Sequence, residues 1–205
     1  MNTDVLERES LKQKTERTLR NKIKKRCYYA CSANHCTELV FRSWGRQMKA
    51  GHDRQFQTTI PLSQYKAWNN CLSTLKKELG KIPEEYRGWS IFFEYATKMH
   101  TRHRHVADVI IRTGTMTFVL EFKMKLCSAP DTADASQVWG YTKTLRNHYK
   151  EENSSRVVVP LVVLSRTEGL DGHVQNGNHC VRFCSGDKLA ETIADEMEKR
   201  GKRWP

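Results

Sequence analysis

Helical and strand-like patterns alternate along this chain, and together they predict an α/β fold, a mixed sheet covered by helices. Three observations carry that reading. Tyr65, Trp68, Leu72, Leu75 and Leu79 recur at spacings of three and four, the apolar stripe of an amphipathic helix. Three strand-like runs follow it. A helical segment then leads to a further apolar run, Arg156–Leu164. The step from the third strand through a helix to the fourth needs a crossover, so that pair is parallel or is reached across the sheet.

The elements read in order as follows. Residues 1–60 are expected to form a basic, mainly helical N-terminal extension. Between Lys12 and Arg26 there are eight basic residues and one acidic residue. Tyr28, Tyr29, Leu39, Val40, Phe41 and Trp44 supply a short helix or a support layer, punctuated by Gly45 and Gly51. The domain proper is expected over residues 61–205. Its first helix starts at Pro61-Leu62-Ser63, with Ser63 as candidate cap, and ends before Gly80 and Pro83. Strands are expected at Trp89–Ala96, Arg104–Arg112 and Met116–Met124. Gly114-Thr115 is a two-residue hairpin connection of type II′, with glycine first. A helix follows from Ala135 to Tyr149. Pro160 argues that the Arg156–Leu164 strand lies at an edge or is broken. His173–Gly177 reads as loop, Cys180–Cys184 as a short strand and Asp187–Arg200 as the last helix.

Composition narrows the function. The chain has 205 residues and a formal net charge of +12, which suits a polyanionic partner, most simply nucleic acid. No stretch reaches transmembrane length, so no membrane partner is expected. Seven cysteines, an odd number, argue against a complete disulfide framework. Without an N-terminal apolar run, an intracellular location is expected, cytoplasmic or nuclear, the latter through Lys22–Arg26. Cys27, Cys31 and Cys36 beside His35 lack the usual zinc spacing, and buried thiols are the expectation for them.

The hairpin carries the chemistry. With Gly114 and Thr115 as the loop, Asp108 falls opposite Glu121, and Lys123 leaves the same face two residues on. Opposed side chains lie about 5 Å apart, and like charges there repel. Two acids that close share a proton, bind a cation or splay into solvent. A divalent cation held by Asp108, Glu121 and the backbone carbonyl of Phe122, with Lys123 beside it, suits phosphodiester hydrolysis.

Asp108 on one strand and Glu121-Phe122-Lys123 on the next resemble the signature of the PD-(D/E)xK nuclease superfamily. Gln137 and Tyr141, in the order Gln-x-x-x-Tyr, resemble the accessory motif of its RecB-like subset. The resemblance covers roughly residues 61–164. It implies a three-layer α/β/α, restriction-endonuclease-like core in the order αβββαβ. It also implies an endonuclease dependent on Mg²⁺ or Mn²⁺, with DNA preferred over RNA. The position before Asp108 is Ala107 where the family pattern has proline. For the upstream acid of the family, Glu94 is the first candidate and Glu78 the second. Glu94, Asp108, Glu121, Lys123, Gln137 and Tyr141 are then the expected catalytic group. Arg102, Arg104, Lys143, Arg146, Lys24, Lys25 and Arg26 are expected along the nucleic acid. Two alternatives stay open: a catalytically inactive nucleic-acid-binding module, and a nuclease subunit that needs a partner. A homodimer suits an enzyme that cuts two strands.

Overall fold

Every strand expected between Ser90 and Leu164 is present in the computed structural model, which describes residues 26–55, 59–83, 88–97, 106–152 and 154–200. The strands are β1 (Tyr29–Ser32), β2 (Ser90–Ala96), β3 (Val106–Arg112), β4 (Met116–Lys123), β5 (Val157–Leu164), β6 (Asp171–Asn176) and β7 (His179–Ser185). They form one mixed sheet in the order β1-β2-β3-β4-β5-β7-β6. β1 to β4 are antiparallel neighbours, β4, β5 and β7 run parallel, and β6 returns antiparallel to β7.

The helices are α1 (Ala33–Glu38), α2 (Phe41–Gln55), α3 (Leu62–Leu79), α4 (Thr132–Glu151) and α5 (Leu189–Lys199). Two apolar clusters separate the layers. On one face Trp44, Met48, Trp68, Leu72, Leu75 and Ile193 cover the sheet from α2, α3 and α5. On the other, Val138, Tyr141, Leu145 and Tyr149 of α4 pack on Ile110, Val119 and Val162. The sheet is therefore buried on both faces, which is why β4 and β5 read as nearly continuous apolar runs. The order α3-β2-β3-β4-α4-β5 is the expected αβββαβ.

Several local expectations are corrected. Residues 29–55 are not an appendage to the fold: β1 extends the sheet, and Trp44 and Met48 are fully buried. Gly51 lets α2 close on the chain before β1, because a Cβ there would meet the Tyr28 carbonyl oxygen at 2.4 Å. The helix α3 begins after Pro61 with no side-chain cap, so Ser63 does not serve as one. The two-residue connection at Gly114-Thr115 holds, but Gly114 does not take the positive φ of a type II′ turn. Thr113 closes it instead, its hydroxyl accepting the Met116 amide at 3.0 Å.

Pro160 sits in an interior strand, paired with Val119 of β4. The β7 partner begins only at Leu161, so the missing amide falls where that side of β5 is still unpaired. The segment read as loop is β6. It is joined to β7 through Gly177-Asn178, with Gly177 at φ +58°. Gly-Asn between paired residues is itself a hairpin signal. α4 starts three residues early, at Thr132, because Asp131 and Asp134 form a reciprocal capping box.

Candidate active site

The β3–β4 ladder runs in the expected register from Arg112↔Thr117 to Val109↔Leu120 and then stops. The next rung would place Asp108 against Glu121. Instead the Phe122 amide donates to Asp108 Oδ2 at 2.8 Å, so a side chain takes over where a backbone acceptor would stand.

Strand alternation breaks at the same level. Val109 belongs to the apolar cluster under α3, whereas Ala107, two residues away, belongs to the cluster under α4. On β2, Phe93 and Tyr95 divide in the same way. Between them Glu94 has φ +50°, the one positive φ of a non-glycine residue among the described residues. That conformation costs on the order of 1–3 kcal/mol and is held only where surroundings over-determine it. Two donors from α3 do so: Gln64 Nε2 at 2.9 Å and Trp68 Nε1 at 2.6 Å, both to Glu94 Oε1.

Glu94 and Asp108 thus line a cavity of about 30 Å³ with Trp44, Met48, Trp68 and Cys71, room for one or two water molecules. Glu121 turns the other way, to Lys123 and α4. Lys123 Nζ donates to Glu121 Oε1 at 3.0 Å and to Gln137 Oε1 at 2.9 Å, and lies 3.4 Å from Asp134 Oδ1. Gln137 Nε2 in turn donates to the Tyr141 hydroxyl at 2.8 Å. The four-residue spacing on α4 is what puts Gln137 and Tyr141 on one face.

The three acids stand on three adjacent strands and feel one another. Loss of solvent, then the charges of Asp108 and Glu121, push Glu94 up to about 8. Loss of solvent followed by Asp108 pushes Glu121 up to about 8, against the pull of Lys123. Asp108 rises to about 6 through loss of solvent, restrained by the Phe122 amide and Lys123. For Lys123 burial works against the charge, but Glu121, Asp134 and Asp108 outweigh it and its pKa is raised. It is a cation at neutral pH.

The donor chemistry fits a hard divalent cation: clustered carboxylates hold protons in place of a counter-charge, and Glu121 Oε2 is buried with no hydrogen-bond partner. The spacing does not close around one. Among the described residues no three Asp, Glu, His or Cys side chains converge in metal-holding geometry. The Lys123 ammonium stands against Glu121 instead. Phe122 contributes its amide to Asp108.

Other expected residues are distributed differently. Glu78 is fully buried but caps α5, accepting the Ala190 amide at 3.2 Å and pairing with Lys81, so it is outside the acid cluster. Arg146 donates to the Val158 carbonyl at 2.8 Å and lies over the Trp139 ring, so it serves the packing of α4 on β5. Lys143 is exposed on α4, and Arg26 is half-buried beside the Tyr95 hydroxyl. Lys24, Lys25, Arg102 and Arg104 lie outside the described residues. Cys27 and Cys184 are buried thiols pushed up to about 12 by desolvation.

Gln64, Trp68 and Asp134 were not legible as site residues. Asp134 alone left a trace, the Asp131-x-x-Asp134 spacing of a capping box. Through it the start of α4 is tied to the end of β4, since Lys125 pairs with both aspartates. No protein-family model matches the chain, and a search of curated proteins returns no match. The reading of this site therefore rests on its own chemistry.

Proposed function

We propose that the chain is a metal-dependent nuclease of the PD-(D/E)xK kind that hydrolyses phosphodiester bonds. One observation carries the reading: acids from three neighbouring strands gather where the ladder opens, beside a lysine positioned by a Gln-Tyr pair. Asp108 and Glu121 would hold Mg²⁺ or Mn²⁺, with Glu94 completing the acidic group. The ion supplies Lewis-acid stabilisation of charge on the phosphate and a nucleophile at neutral pH. Lys123, fixed by Gln137 and Asp134, offers a cation to the oxygen that gains charge in the transition state. Glu94 and Glu121, the two acids raised to about 8, would take up protons without the cation. The +12 charge draws the polyanion in. DNA is preferred over RNA on the resemblance alone.

The Lys123–Glu121 ion pair favours a second reading, a binding module or a subunit that a partner makes competent. Among the described residues no helix is long and apolar enough to cross a membrane.

A cleavage panel of labelled single-stranded DNA, double-stranded DNA and RNA tests the proposal, run in Mg²⁺, Mn²⁺ or EDTA. Metal-dependent cutting that disappears in Glu121→Gln and Lys123→Ala is expected. Binding without cutting by the wild type in every metal would overturn the autonomous enzyme and favour the second reading.

A further inference from the structure

A second cavity, of about 330 Å³, opens at the end of β5. Its walls carry Ser73, Thr74 and Lys77 from α3 and Ser165, Arg166 and Thr167 from the segment after β5. It is continuous with the candidate site through the backbone. The Ser165 amide donates to the carbonyl of Lys123 at 3.1 Å, and Ser165 follows Leu164, the β5 partner of Lys123. The cavity also sits outside the carboxyl ends of the parallel strands β5 and β7, where open α/β sheets bind their ligands.

The lining has the chemistry of a phosphate site. Two exposed cations, Lys77 and Arg166, and the hydroxyls of Ser73 and Thr74 line it, while the Ser165 and Thr167 hydroxyls already donate to the carbonyls of Lys123, Lys125 and Cys127. Hydroxyl, lysine and arginine side chains are the usual partners of a nucleic-acid backbone. Two acids also line it. The Asp187 carboxylate is already engaged, taking the Ser185 hydroxyl at 2.5 Å and the Gly169 amide at 3.1 Å. Those donors hold its pKa low against the effect of burial. Glu168 is exposed. Gly186 closes the floor, where an added Cβ would come within 3.3 Å of the Thr74 methyl and 3.4 Å of Ser165 Cα.

Resting on the nuclease reading, we infer that this cleft binds a backbone phosphate of the strand being cut, away from the scissile one, with Lys77 and Arg166 as its charged partners. A cleft with two exposed cations, its Asp187 already hydrogen-bonded, would hold the strand at the β5 end of the sheet and set its direction.

The test measures binding of a labelled oligonucleotide in EDTA, over a range of NaCl, for wild type, Lys77→Ala, Arg166→Ala and the exposed α4 control Lys150→Ala. Each cleft variant is expected to bind roughly three- to tenfold more weakly at moderate salt and to lower the salt slope by about 1, while the control matches wild type. A set of oligonucleotides, each with one neutral methylphosphonate, locates the contact. At one position the substitution weakens wild type but adds nothing to the loss already present in the double variant Lys77→Ala/Arg166→Ala. Wild-type affinity and slope in both variants, with nucleic acid bound, would overturn the cleft and leave the nuclease reading standing. Failure of the wild type to bind or cut any nucleic acid would overturn both.

Discussion

Replacing Glu94 with glutamine removes one charge from the buried acids and keeps an amide of the same shape beside Gln64 and Trp68. Glu94 is raised from 4.5 to about 8, so the folded protein binds this proton more tightly than the unfolded chain does. Its contribution is fully present below about pH 4.5, declines as pH rises, and is lost above about 8. At about 1.4 kcal/mol per pH unit, that interval corresponds to roughly 5 kcal/mol. Glu121 and Asp108 relax when the neighbouring charge goes, and glutamine keeps some of the desolvation cost. A net gain of about 2–5 kcal/mol is therefore expected for Glu94→Gln at pH 9 in EDTA. At pH 4.5 the two proteins should agree within about 1 kcal/mol. Urea unfolding at fixed pH across this range, with m unchanged, measures the difference. Excess Mg²⁺ should restore wild-type stability at pH 8–9 and help the variant less. A difference between the two proteins that does not vary with pH would refute the coupling of charge and burial on which the site is built.

Further outcomes follow from particular contacts. Gly51→Ala should cost about 2 kcal/mol or more in chemical unfolding, because the new Cβ meets backbone atoms of Tyr28 rather than a side chain that can move. Arg182→Met should cost about 1–3 kcal/mol at pH 7, since it leaves Glu196 buried without its partner while Asp171 and Asp195 stay partly solvated. The loss should shrink as pH falls and those acids become neutral. On the proposed function, Gln137→Leu, which leaves Lys123 only Asp134 as a partner on α4, should lower kcat about 10- to 100-fold with little change in KM. Its thermal midpoint should stay close to that of the wild type.

Much of the central sheet was readable because the two-residue hairpin fixes one register and the α3 stripe is regular. The N-terminal part was not. β1 has only four residues at an edge, and what anchors that region, Trp44 against Trp68 and Phe93, comes from parts of the chain far apart in sequence. β6 is polar apart from Val174, as an outer strand paired on one side can be. Within the site, Asp108, Glu121 and Lys123 stood out as charges in an apolar run. The turning of Asp108 toward α3 did not, because it follows from an open ladder and a positive φ at Glu94. Neither is encoded by residue type.

Asp108 acts as a piece of backbone: it receives the amide that strand pairing leaves over. A change to alanine would strand that N–H as well as remove the acid, at a cost of about 1–3 kcal/mol. On the proposed function, catalysis and folding would depend on the same carboxylate. Descendants that lost the proposed activity and stayed folded should carry asparagine at position 108, the smallest change that silences the acid and still accepts the Phe122 N–H.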